Sequence, residues 1–249
     1  SLVTKRQVAL AYAKEGWPVF PLHNPADGGC SCGKAGCSAV GKHPRTRHGF
    51  NDATTDPKTI NEWWDESPNA NIGMPTGKAS GLVVVDVDRK SGGLETWADF
   101  QDFHGRVDTL TTLTGGGGFH HFFQTNGHHF KSSASQVGQG IDIRAENGYI
   151  ILPPSVHESG DVYEWEADDD VIAPIPDWLV AKIRDDGKHP SAPAPETNGT
   201  VAEGSRNDFL TRLAGAARRV GASLAGIDAM LQQENTANCN PPLDVSEVA

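Results

Sequence analysis

Apolar positions along the chain fall into patches whose spacing predicts the elements they form. Val8, Ala9, Tyr12 and Ala13 lie between Thr4 and Gly16, so residues 4–15 predict an amphipathic helix with a capping residue in front and a glycine stop behind. Trp17-Pro18-Val19-Phe20 predicts a short strand leading into a glycine- and cysteine-rich loop. Asp56 and Pro57 supply an N-cap and a first-turn proline for a second helix through Trp63 and Trp64. The near-continuous β-branched run 81–88 predicts a buried strand ending in acids. Residues 92–104 fit a helix, and 109–113 and 119–124 fit two strands joined by a four-glycine turn. Residues 141–144 and 149–152 fit a further strand pair, with Glu146-Asn147-Gly148 as its hairpin turn. A last strand near 162–165 and a helix near 176–186 complete one α/β (α+β) domain.

Residues 187–200 change to Pro, Ala, Ser, Gly and Thr without periodicity, which predicts a linker. Helical periodicity returns over 207–220 and 224–233. The expected division is a main domain over 1–186 with a loop module at 29–44, a linker over 187–202, and a small helical domain over 203–249. The stop just after Pro241-Pro242-Leu243 and an incipient helix reads as a truncation rather than a natural end.

Composition narrows the class. With 249 residues, 37 % apolar and 21 % charged, the chain fits a folded globular protein. No apolar run approaches the ~20 residues of a membrane span, so cytoplasmic residence is the default expectation. The formal net charge of −11 is unfavourable for a protein that holds polyanionic DNA. The charge is uneven, however. No acid occurs between Asp27 and Asp52, where Lys34, Lys42, Arg45 and Arg47 fall, whereas Asp161 to Asp170 carries six acids in ten residues. A basic strip on an acidic body remains compatible with nucleic acid at modest affinity.

Candidate chemistry sits at four places. Asp86 and Asp88 alternate on the predicted strand, ~6–7 Å apart, and two such carboxylates repel each other unless a cation lies between them. Hard oxygen ligands suit Mg²⁺ or Mn²⁺, although acids at a strand end can equally face solvent alone. Asp142, between Ile141 and Ile143, would join them if its strand neighbours the first, giving the ligand set for two-metal phosphoryl transfer; alternatively it pairs with Arg144 on the sheet surface. The turn Gly115-Gly116-Gly117-Gly118 leads into Phe119-His120-His121-Phe122-Phe123. Glycines let backbone amides approach phosphate oxygens, and a histidine beyond them can donate to a triphosphate, though such a turn can also be a plain hairpin loop. His120 and His121 point to opposite faces, so only one of them lines a site. Finally, Cys30, Cys32, Cys37 and His43 supply the donors of a closed structural zinc site, with His23 or His48 as alternative fourth ligands. That loop would carry Lys42, Arg45 and Arg47 towards a phosphate backbone unless they are merely solvated.

In this order the motifs resemble the bifunctional primase-polymerase family of phage and plasmid replication proteins, within the archaeo-eukaryotic primase superfamily. Val85-Asp86-Val87-Asp88 matches its first motif, Gly116-Gly117-Gly118-Phe119-His120-His121-Phe122-Phe123 its second, and Ile141-Asp142-Ile143-Arg144 with Gly148-Tyr149 and Pro153-Pro154-Ser155 its third. The second motif selects His120 over His121, and it departs from the commonest form at Gly116, where serine is frequent, and at Phe119, where a basic residue is common. Gly41-Lys42-His43-Pro44 and 71–77 also look like family segments. Arg206-Asn207, Leu213-Ala214-Gly215 and 239–243 are similar to the small helical domain that follows many such primases, after which a helicase often comes.

The resemblance implies a primase core with a sheet of the RNA-recognition-motif type and a second smaller lobe. It implies template-directed nucleotide addition to a 3′-hydroxyl, with primer initiation as well as extension on single-stranded DNA. Asp86, Asp88 and Asp142 would hold two Mg²⁺ or Mn²⁺, and His120 would meet the incoming NTP or dNTP beside Gly116, Gly117 and Gly118. Arg144 is a phosphate or ion-pair candidate, and Thr76 and Lys78 could also face the nucleotide. Two rivals differ in class: a non-catalytic zinc-containing DNA-binding module of a replication initiator, and a metal-dependent nuclease.

Overall fold

The computed structural model describes residues 3–166, 171–184, 201–202, 205–219 and 224–248. In chain order its elements are α1 (Lys5–Lys14), β1 (Phe20–Leu22), β2 (Pro25–Ala26), β3 (Gly29–Cys30), α2 (Pro57–Glu66), β4 (Asn71–Pro75), β5 (Leu82–Val87), α3 (Gly93–His104), β6 (Thr111–Leu113), β7 (Phe119–Gln124), β8 (Ser133–Gly138), β9 (Ile141–Arg144), β10 (Tyr149–Leu152), β11 (Glu164–Trp165), β12 (Ala173–Pro174) and α4 (Asp177–Arg184), then β13 (Val201–Ala202), α5 (Arg206–Arg219), α6 (Leu224–Asn238), β14 (Cys239–Asn240) and α7 (Val245–Val248). They form two compact units, Ser1–Asp186 and Gly187–Ala249.

Local chemistry accounts for the helices at the start of the first unit. Thr4 and Gln7 close a capping box on α1, and Asp56 caps α2 ahead of Pro57. Ile60 and Trp64 of α2 turn inward and pack with Ala9 and Ala13 of α1. These helices cover one face of a seven-stranded sheet of order β11-β6-β7-β5-β9-β8, with β12 beside β7. Leu82, Val84 and Phe122 point into that layer, where Ile72, Met74, Ile150 and Leu152 of a second, three-stranded sheet (β1-β4-β10) also pack. On the opposite face Val83, Val85, Val87, Ile141 and Ile143 meet Trp97 of α3 and Leu179 of α4. The period-two alternation of β5 thus serves two cores at once. The fold is mixed α/β, with its sheets built almost entirely of antiparallel pairs.

Several expectations shift. The strand expected at 17–20 starts later, at Phe20, with Val19 bridged only to Thr54. The hairpin expected across 141–152 does not form: β9 pairs with β5 and β8, whereas β10 leaves for the other sheet and pairs with β4. The turn at 146–148 therefore switches sheets, with Asn147 at φ 59° and the Gly148 amide bonded to the Ala145 carbonyl. Only 164–165 of the strand expected near 162–165 is regular. Residues 167–170 of the acidic run and the linker expected at 187–200 lie outside the described residues.

His121 sits on the α3 side, stacked on Trp97 at 4.8 Å, with Nδ1 2.9 Å from Thr111 Oγ1. Burial first, and the neighbouring His120 second, hold its imidazole down at about 3. A histidine whose folded value lies below its ordinary ~6.5 adds stability above 6.5 that is lost as pH falls towards 3, because the unfolded chain takes the proton first. Acid titration of thermal stability should therefore cost on the order of 2 kcal/mol from pH 6.5 to 5 through this residue. His121→Phe, which keeps the stack, should flatten that part of the curve; an unchanged slope would show that His121 does not carry it.

The second unit buries Phe209, Leu210, Cys239 and Val248 together, with β13 and β14 paired in parallel. Its α5 and α6 fall where the two C-terminal helices were expected. Among the described residues no helix is long and apolar enough to cross a membrane.

Candidate active site

The strand register assembles a polar row across the first unit's large sheet. Asp86 of β5 lies directly opposite Asp142 of β9 on one side and His120 of β7 on the other, and His120 in turn faces Thr112 of β6. All four side chains share the sheet face that carries Val84 and Phe122, beyond the end of the apolar layer. Asp86, Asp142 and His120 of this row line a cavity of about 490 Å³, as do Tyr149 of β10 and His157, Glu158 and Tyr163 of the loop that follows β10. That volume lies in the usual range of small-molecule sites.

Asp86 and Asp142 are bridged by Arg144, whose Nη2 lies 3.0 Å from Asp86 Oδ2 and 2.9 Å from Asp142 Oδ2. His120 Nε2 lies 3.5 Å from Asp86 Oδ1, and the ring's buried Nδ1 has no partner among the described residues. Burial works to raise the Asp86 carboxyl, but His120 and then Arg144 outweigh it and hold the value at about 2. The group is anionic at any pH at which a nucleic-acid enzyme works. Asp88 falls just past the end of β5 and caps the turn that follows, accepting from the Lys90 amide at 3.0 Å and from Ser91 Oγ at 2.6 Å, while still lining the cavity. Asp86, Asp88 and Asp142 line one cavity and by donor type suit a hard divalent cation, with the Arg144 guanidinium between two of them, but among the described residues only the cysteine–histidine loop draws three or more ligand atoms together at metal-binding spacing.

The glycine turn is built differently from expectation. Thr114 uses the Gly117 and Gly118 amides for itself, through its carbonyl at 2.9 Å and its Oγ1 at 3.0 Å. Gly116 and Gly118 line the cavity, whereas Gly117, at φ 79°, lies beneath Arg89. Gly118 is required by packing, since a Cβ there would stand 2.1 Å from the Val87 carbonyl oxygen, at the end of β5. Gly118→Ala should therefore cost more than ~2 kcal/mol in thermal or denaturant unfolding. Gly116→Ala, whose Cβ would meet nothing closer than 3.8 Å, should cost under ~1 kcal/mol. Equal effects of the two would contradict this packing.

The 29–44 loop brings one ligand atom each from Cys30, Cys32, Cys37 and His43 to within 4.8 Å of one another. His43 Nε2 lies 3.4 Å from Cys30 Sγ and 3.6 Å from Cys37 Sγ. Tetrahedral zinc with ordinary bond lengths places sulfur and nitrogen ligands about 3.5 Å apart. Burial would raise the Cys30 thiol, yet the Gly41 and Cys32 amides and His43 bring it down to about 6. Three thiols so close share negative charge poorly without a cation, so the donors fit a soft divalent metal. Neither alternative ligand belongs to the cluster. His23 instead stacks on His43 and bonds Ser31 Oγ and Arg45, and His48 pairs with Asp52.

Other expected residues are dispersed. Thr76 is buried and donates to the Ala145 carbonyl, and Lys78 is exposed with its amide on Glu146; neither lines the cavity. Arg45 turns inward onto Ser31 and His23, Arg47 is exposed, and Lys42 lines the cavity. His157 was missed. It is buried, lines the cavity, and packs so closely on Gly115 that a Cβ there would stand 2.2 Å from its own. The one sequence signal for it was its position two residues beyond Pro153-Pro154-Ser155.

Carboxylates and imidazoles converging on a polar cavity are an arrangement for phosphate chemistry. The chain belongs to the family described as bifunctional DNA primase/polymerase, N-terminal, which it matches over residues 9–178. It is a nucleotidyltransferase whose substrates are DNA and nucleotides. Residues 194–249 match a second family, primase C terminal 1 (PriCT-1). No curated protein matches the chain.

Proposed function

We propose that the protein makes primers on single-stranded DNA and extends them by metal-dependent nucleotidyl transfer to a 3′-hydroxyl, in the replication of a phage or plasmid. The observation that carries this reading is the register that sets Asp142 and His120 on either side of Asp86 at the cavity. In it Asp86, Asp88 and Asp142 are the ligands of two Mg²⁺ or Mn²⁺. Such cations, when bound, favour ionisation of the primer hydroxyl and offset charge on the α-phosphate and the departing pyrophosphate. His120 donates to the triphosphate, and Arg144, already between two carboxylates, balances their charge and is within reach of a phosphate. Tyr149 also lines the cavity.

The central strand order β6-β7-β5-β9, with α3 between β5 and β6, supports a sheet of the RNA-recognition-motif type. The three-stranded sheet then serves as the smaller lobe. We read residues 1–186 as catalytic and 187–249 as a linker followed by a mainly helical accessory domain, which takes in Val201 and Ala202, expected as linker, through the pairing of β13 with β14. Zinc in the Cys30, Cys32, Cys37, His43 cluster is structural, as its closed donor set favours.

Primer extension on four templates differing in the first unpaired base tests the reading. The expected result is elongation by the complementary nucleotide in each case, dependent on Mg²⁺ or Mn²⁺. Shortening of the primer instead would mark a nuclease, and neither change would mark a binding module.

A further inference from the structure

Lys42 immediately precedes the cluster residue His43, yet it lines the same cavity as Asp86 and Asp142. Its segment is tightly held. The Tyr149 hydroxyl donates to the Lys42 carbonyl at 3.0 Å, Asn71 Nδ2 donates to the Gly41 carbonyl at 3.0 Å, and the His23 amide donates to the His43 carbonyl at 2.9 Å. Gly41 adopts φ +71°, and a Cβ on it would stand 2.9 Å from Pro25 Cδ, so this turn requires glycine. The loop therefore cannot move without moving Lys42.

Two further groups share that side of the cavity. Lys90 enters from the turn that Asp88 caps. His157 is buried, with Nδ1 2.9 Å from Ser159 Oγ, and that hydroxyl is also 2.9 Å from Asp161 Oδ2. Burial first, and then the charge of Lys42, hold the His157 imidazole below its ordinary value; Lys90 acts in the same direction, while Glu158 and Asp161 oppose it. Neither lysine ammonium forms an ion pair among the described residues. The cavity lining thus combines Asp86, Asp142 and Arg144 on the sheet with Lys42, Lys90 and His157 on the loops, where the acids Asp88 and Glu158 also fall. Compact polyanions are recognised by such converging donors.

We propose that Lys42, Lys90 and His157 receive the polyphosphate tail of the incoming nucleotide, which makes the cysteine–histidine loop part of the nucleotide site and not only a buttress. This rests on the reading that the cavity takes a nucleoside triphosphate. It differs from the expectation that Lys42 contacts the DNA backbone.

Equilibrium calorimetry on the full chain tests it, with a deoxynucleoside triphosphate, inorganic tripolyphosphate and an unphosphorylated nucleoside as separate probes. Lys42→Ala and Lys90→Ala should each weaken both phosphate-bearing probes about tenfold, the value of one charged hydrogen bond, and leave the nucleoside unchanged. His157→Gln should do so to a lesser degree, and Lys42→Arg should stay within about threefold of the native protein. Metal content and melting temperature, measured alongside, distinguish lost contacts from a damaged loop, and Lys90, on a separate segment, gives an independent reading. Native affinity for tripolyphosphate in both lysine variants, in a protein that still extends primers, would overturn this inference alone. If the native protein binds no triphosphate, the primase reading falls with it.

Discussion

Replacing Asp86 with Asn is expected to reduce templated nucleotide incorporation by about 10³-fold or more, because a neutral amide removes the central carboxylate of the row and with it several kcal/mol of charge stabilisation in phosphoryl transfer. The fold should survive. Arg144 keeps Asp142 at 2.9 Å, and the apolar neighbours Val85 and Val87 lie on the other face of the sheet. Asp142→Asn should act similarly, whereas Glu146→Gln, on the sheet-switching turn outside the cavity lining, should leave incorporation within about twofold. The measurement is steady-state incorporation on a primed template, with thermal melting beside it. Incorporation by Asp86→Asn within tenfold of native would remove the carboxylate row from the chemistry.

The second large effect concerns the cysteine–histidine loop. Cys30→Ser should abolish stoichiometric zinc, measured by elemental analysis of the purified protein, and lower stability by several kcal/mol, since ligand binding at a closed structural site is folding free energy. His43→Ala should do the same. His48→Ala, whose imidazole pairs with Asp52, and Cys239→Ser, whose thiol lies in the core of the second unit, should retain the metal. Full zinc content in Cys30→Ser and His43→Ala would show that these residues are not the ligands.

Much of the large sheet was legible because period-two burial leaves a strong mark. The run ending Val85-Asp86-Val87 and the lone acid between Ile141 and Ile143 each carry a side chain that breaks an apolar strand. Such a break is hard to reconcile with a packed sheet unless the acid faces something polar. The choice of His120 over His121 came from the family resemblance, and its physical basis is face alternation: one imidazole meets Asp86 and the other stacks on Trp97. The cysteine cluster was legible from donor type and crowding alone.

What was not legible is partner choice. An apolar run such as Tyr149–Leu152 states that it is a strand but not which sheet it joins, so adjacency to Ile141–Arg144 suggested a hairpin that the structure replaces with a crossing between sheets. The strand β4 was hidden by Gly73 and Pro75, residues that weaken strand propensity. Gly73 is there because a Cβ would stand 2.6 Å from the Phe20 ring. The strand β8, Ser-Ala-Ser-Gln-Val-Gly, is too polar to signal itself and pairs irregularly with β9. Lys42, read as a DNA contact from local charge, lines the cavity because Tyr149 and Asn71, more than 25 residues away in sequence, hold its backbone. Long-range hydrogen bonds of that kind leave no local pattern.

The most direct test is unprimed synthesis: the native protein with single-stranded DNA, labelled NTPs and dNTPs, and Mg²⁺ or Mn²⁺, beside an Asp86→Ala, Asp88→Ala double variant shown by melting to be folded. New labelled oligonucleotides from the native protein and none from the variant are the predicted result. Absence of product from the native protein, or equal product from both, would contradict a primase whose chemistry rests on the carboxylates of the large sheet.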